Sequence, residues 1–78
     1  MNKKAFLNIF ASFLGLVPGV ITGGEKLDDI DEWSSLSVLD FIYFADKNFN
    51  ISVAPDSIRN ARTVDDLIVL LGDNIKTD

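Results

Sequence analysis

Two adjacent serines, Ser34 and Ser35, follow the acidic run Asp28-Asp29-Ile30-Asp31-Glu32 and Trp33, and precede an apolar helical stretch that begins at Leu36. The start of a helix leaves backbone N–H groups without intrahelical partners and carries the positive end of the macrodipole. A phosphate ester on a serine is well held at such a point. A serine there is also an ordinary helix cap, so two chemistries compete for the pair. Ser34, read as the residue just outside the helix, suits the cap. Ser35 reads as the first helical residue, and on position alone a cap is the better reading of the pair. Ser37 reads as a solvated polar residue of the first turn.

The rest of the inventory narrows the field. The chain has 78 residues and contains no cysteine and no histidine. Disulfides, cysteine thiolates, the commonest metal ligand and any Ser-His-Asp arrangement are therefore missing, and a self-contained enzyme is not expected. The loop aspartates lack the spacing and central glycine of a calcium site. Net charge is −5, and it is concentrated: residues 25–46 hold seven acids and one base. That focus disfavours nucleic acid and favours basic protein partners through encounter and orientation.

These residues need elements to position them. Phe6, Ile9, Phe10 and Phe13 recur at helical spacing, which predicts a helix from residue 3 to about 15, stopped by Gly15 and Pro18. A long connection follows over 16–33, with Val20, Ile21, Leu27 and Ile30 expected to pin it to the core. Residues 35–49 form the second helix, with Val38, Phe41, Ile42, Ala45 and Phe49 on one stripe. Opposite that stripe, Leu36, Asp40, Tyr43 and Lys47 fall on one line, with Phe44 also outside it. Ile51, Ser52 and Val53 read as an extended link, and Pro55 suits the start of a short helical turn through Asn60. Thr63 and Asp66 have capping-box spacing, and Val64, Leu67, Ile68 and Leu71 give a last helix that stops at Gly72. The architecture expected is one all-α domain over 1–78: a bundle of three main helices and one short helix, with a long loop between helices one and two. Trp33 is expected to anchor that loop. Arg59 and Arg62, the only arginines, are expected to cap or pair locally.

Lys3 and Lys4 before an apolar run look like the start of a secretory leader. Asn8 and Ser12 interrupt the run, however, and no small-x-small cleavage pattern follows. No stretch approaches the ~20 apolar residues of a membrane span. A cytoplasmic, monomeric protein is expected, with a small secreted helical protein as a rival reading.

The layout resembles the acyl carrier protein family over essentially the whole chain. Trp33-Ser34-Ser35-Leu36 is similar to that family's Trp-Asp-Ser-Leu, and Phe49-Asn50-Ile51 to its Phe-Gly-Ile. Thr63-Val64-Asp65-Asp66-Leu67 is similar to its Thr-Val-x-Asp-Leu, and Leu14-Gly15-Leu16 to its Leu-Gly-Val. The resemblance implies that Ser35 is esterified with 4′-phosphopantetheine derived from coenzyme A. The thiol of that arm would carry acyl or aminoacyl groups as thioesters in fatty acid, polyketide or peptide biosynthesis. It implies three kinds of partner: a phosphopantetheinyl transferase, a loading enzyme, and acyl-transfer or synthase enzymes with basic docking surfaces. The partner-facing residues it implies are Leu36, Asp40, Tyr43, Phe44 and Lys47, with Asp31 and Glu32 before them. Two positions depart from the family. Ser34 replaces the acid before the modified serine, with Asp31 and Glu32 as the nearest substitutes. Lys47 stands where more acid is usual. Bulky Phe41 and Phe49 point to a short cargo. The competing reading is a carrier-like fold that is never modified and serves as an acidic interaction module.

Overall fold

A computed structural model describes residues 1–76. Helix α1, Lys3–Phe13, starts where the Asn2 side chain accepts a hydrogen bond from the Ala5 N–H at 2.7 Å, filling one of the vacancies of the first turn. It ends at Leu14, after which Gly15 adopts φ 73°. Helix α2 spans Ser35–Phe49, and its C-cap Asn50 sits in the left-handed region at φ 57°. That is a conformation asparagine tolerates better than most side chains. Helix α3, Pro55–Arg59, opens with proline at its first position, where the missing N–H costs nothing. Helix α4, Val64–Leu71, begins with a complete capping box between Thr63 and Asp66. No strand longer than an isolated bridge occurs among the described residues. The molecule is a small all-α bundle.

The core is aromatic at its centre. Phe6, Phe10 and Phe41 are wholly buried, as are Val64 and Leu67 from α4. Phe6 meets Phe41 edge-on at 6.3 Å and Phe44 at 5.9 Å, while Phe13 and Phe49 close on Phe44 at 5.8 and 5.5 Å. Such edge-to-face and tilted pairs add stabilisation beyond the area they bury. The apolar run of α1 that follows Lys3 and Lys4 is thus a wall of this core.

The long connection is tied down in two ways. Ile21 and Leu27 are buried and Ile30 is half-buried. Val20, expected among these anchors, is instead 50% exposed: the chain turns it outward and spends the adjacent Ile21 on the core. The backbone then pairs with the segment that launches α4. Leu27 N–H donates to the Arg62 carbonyl at 2.9 Å, Val64 N–H to Glu25 at 3.1 Å, and Asp65 N–H to Gly23 at 2.9 Å. Gly23 is required here: its φ is 113°, and a Cβ would run into the Asp65 carboxylate. Asp65 also pairs with Lys3 of α1 at 3.0 Å. The two ends of the described chain lie side by side, with Lys3 N–H donating to the Lys76 carbonyl at 2.6 Å and Lys76 N–H to that of Met1 at 2.7 Å.

Candidate functional site

Ser35 is the first residue of α2 and is exposed. Ser34 occupies the N-cap, with extended backbone at φ −143°, ψ 178°, and its carbonyl accepts from the Val38 N–H at 3.0 Å. Its hydroxyl makes no capping bond. The expectation of Ser34 as cap is therefore met by the backbone and not by the side chain.

The serine that is put to structural use is Ser37. It is buried, not solvated as expected, and its Oγ donates to the Glu32 carbonyl at 3.2 Å. The reason is its register: Ser37 precedes the wholly buried Phe41 by four positions, so it lies under the same stripe. Trp33 is half-buried with its indole 5.5 Å from the Phe10 ring. Ser37 thus ties the acidic loop to the first turn of α2, while Trp33 packs the loop on α1 rather than against the start of the second helix. The serines between them are left facing solvent.

A groove of about 310 Å³ runs from Ser35 between α2 and α3, lined by Val38, Leu39, Ile42, Pro55 and Arg59. Its lining is mostly apolar, and Ser35 and Arg59 are its polar residues. Arg59 forms an ion pair with Asp56 on the same helix, and both side chains are largely exposed. A second hollow of about 370 Å³, between α3 and α4, is lined by Ser57, Asn60, Ala61, Asp66, Val69 and Leu70. It includes none of the residues singled out from the sequence as a site.

On the outer side of α2, Leu36, Leu39 and Tyr43 are 69%, 61% and 66% exposed. Three large apolar side chains in solvent along one helix make a patch of the kind that proteins use for contact. Asp40 is half-buried beside them, and Lys47, Asp31 and Glu32 are exposed. Phe44 does not belong to this surface. It is only 7% exposed and is held among Phe6, Phe13 and Phe49; the aromatic face of α1 widens the buried stripe of α2 to include it. Leu39 belongs there instead, a placement already implied by its spacing of three from Leu36 and four to Tyr43.

Two carboxylates are held charged by the backbone. Burial pushes the Glu25 carboxyl up, but N–H groups of Thr22, Glu25 itself and Gly23, with the Thr22 hydroxyl, outweigh this and lower its pKa. Asp66 is lowered by the N–H groups of Arg62 and Thr63. Both lie in the seam between the long loop and α4. Among the described residues no cluster could hold a metal ion, and no helix is long and apolar enough to cross a membrane.

These features define an all-α bundle that presents two serines at a helix start, of which Ser35 borders a mostly apolar groove. Comparison with models of protein families, with characterised proteins and with solved structures gives no match.

Proposed function

We propose that this chain is an acyl carrier protein that bears 4′-phosphopantetheine on Ser35. The observation that carries this reading is the placement of Ser35: first residue of α2, exposed, and on the rim of an apolar groove. The local chemistry fits a phosphodiester. The Ser35 hydroxyl is accessible, the Ser34 side chain leaves the first-turn N–H groups uncapped, and the macrodipole favours an anion there. When bound, the group would supply a terminal thiol that carries acyl groups as thioesters. The chain's own part is presentation, which requires neither cysteine nor a general base.

The groove measures about 310 Å³ and is lined by Val38, Leu39 and Ile42 of α2 and Pro55 of α3. A short acyl or aminoacyl cargo suits that space better than a long fatty chain. Leu36, Leu39 and Tyr43 would supply the apolar contact with partner enzymes, and the acids of residues 25–46 would steer basic ones.

Incubation with coenzyme A and a promiscuous phosphopantetheinyl transferase should add one phosphopantetheinyl group. Peptide mapping should place it on Ser35, and Ser35→Ala should abolish it. Modification on Ser34, or none with several transferases, would overturn the assignment and leave the unmodified acidic interaction module as the better reading.

A further inference from the structure

We propose that Arg59 is the counter-ion, within the chain, of the phosphodiester on Ser35, and that loading exchanges the Arg59–Asp56 ion pair for an Arg59–phosphodiester pair. The proposal rests on the assignment of Ser35 as the attachment point.

A phosphodiester at Ser35 adds a negative charge to the most acidic part of the molecule. Asp28, Asp29, Asp31 and Glu32 lie immediately before it, all exposed, and Asp40 lies in the second turn of α2. Like charges repel, so a cationic group facing the added anion offsets a cost that the helix start alone must otherwise meet. Among the residues that line the groove with Ser35, Arg59 is the one cation. Three other bases are placed elsewhere. Lys3 pairs with Asp65 at the opposite end of α1 from Trp33, and Lys47 lies in the last turn of α2. Lys26 precedes the Leu27–Asp29 turn, where its backbone bridges to Thr63.

Arg59 is free to make the exchange. Its present partner, Asp56, is one turn earlier on a five-residue helix, and both side chains are more than 70% exposed. An exposed pair of this kind is weak. A guanidinium meets a phosphodiester with two parallel N–H bonds, which is the stronger geometry. Asp56 is then released in the first turn of α3, where the helix start still favours a negative charge. The loaded protein therefore carries an altered charge pattern on α3, beside the groove, that a partner could read.

The test compares unloaded and loaded protein by side-chain arginine NMR and by ³¹P NMR, after mass spectrometry has shown that Ser35 is loaded. Loading should shift the Arg59 Nε–H resonance and slow its exchange with water by about two- to five-fold, as for an exposed charge-assisted pair. The ³¹P resonance should move in Arg59→Gln, stay nearer wild type in Arg59→Lys, and respond to salt less in Arg59→Gln than in wild type. Asp56→Asn should perturb Arg59 in the unloaded form and much less in the loaded form. A loaded protein whose Arg59 resonance is unmoved, and whose ³¹P resonance is the same in wild type and Arg59→Gln, overturns the proposal while leaving the carrier reading intact. A shift seen only when the thiol carries a carboxylate-bearing acyl group also overturns it, because Arg59 would then read the cargo. Absence of loading at Ser35 in the mass spectrum removes both readings.

Discussion

Glu25 holds the long loop in shape, and replacing it with glutamine isolates what its charge contributes. Its carboxylate accepts from the Thr22 N–H at 2.7 Å, the Gly23 N–H at 2.8 Å and the Thr22 hydroxyl at 3.1 Å. The turn so formed presents the Gly23 and Glu25 carbonyls to Asp65 and Val64 at the start of α4. A buried hydrogen bond to a charged group contributes about 1.5–3 kcal/mol. This carboxylate is only partly buried, so the set of three is discounted to roughly 2–3 kcal/mol in total. Glutamine keeps one acceptor oxygen, which leaves an expected loss of about 1–2 kcal/mol for Glu25→Gln at pH 7. At about 4–8 °C per kcal/mol for a domain of this size, Tm should fall by roughly 5–15 °C. The pH dependence has a definite sign. Because the folded pKa is lowered, the contribution is complete above the ordinary glutamate value and is lost as pH falls through the folded one. Thermal melts followed by circular dichroism should therefore show a gap between wild type and Glu25→Gln that is widest near neutrality and closes on acidification. Hydrogen exchange at the Val64 and Asp65 amides should rise in the variant. Equal Tm at pH 7, or a gap that widens in acid, would refute the role given to this carboxylate.

Other substitutions probe the surface and the seam separately. If Ser35 is loaded as proposed, Ser34→Asp should raise the initial rate of loading by a housekeeping-type transferase, since it places an acid directly in front of the serine. Asp40→Lys should slow acylation by a loading enzyme, with a loss that shrinks as salt rises, whereas Tyr43→Ala should slow it with little salt dependence. Wild-type rates in both would move the docking surface to Asp31 and Glu32. Ser37→Ala should cost about 1 kcal/mol by urea unfolding, because it removes the bond to the Glu32 carbonyl. Ser34→Ala should cost less than the usual ~1 kcal/mol of a cap, because its hydroxyl is unengaged.

What could be read from the sequence was local. The limits of α2, the proline opening α3 and the Thr63–Asp66 box are all written in residues within four positions of one another, and the structure reproduces them. The misplacements share a cause. Phe44 and Ser37 border the apolar stripe of α2, and whether a border residue is buried depends on what the opposing helix offers. The Phe6 and Phe13 rings of α1 took Phe44 into the core, and the Glu32 carbonyl gave Ser37 a partner there. Val20 and Ile21 were interchangeable by composition, and the turn alone decided between them. The seam between residues 22–27 and 62–65 joins segments about half a chain apart by backbone bonds, which side-chain periodicity does not encode.

The pairing of Met1 and Lys3 with Lys76 has an engineering consequence. Both ends of the described chain leave the bundle at one spot, beside the first turn of α1. Trp33 stacks on Phe10, seven residues and about 10 Å further along that helix. A short peptide bridge could close the molecule into a ring, or splice it into a surface loop of a host protein, with little distortion of α1. In either form the graft would be held by its tail end, and Trp33, two residues before the exposed Ser35, would sit about two helical turns from the joint.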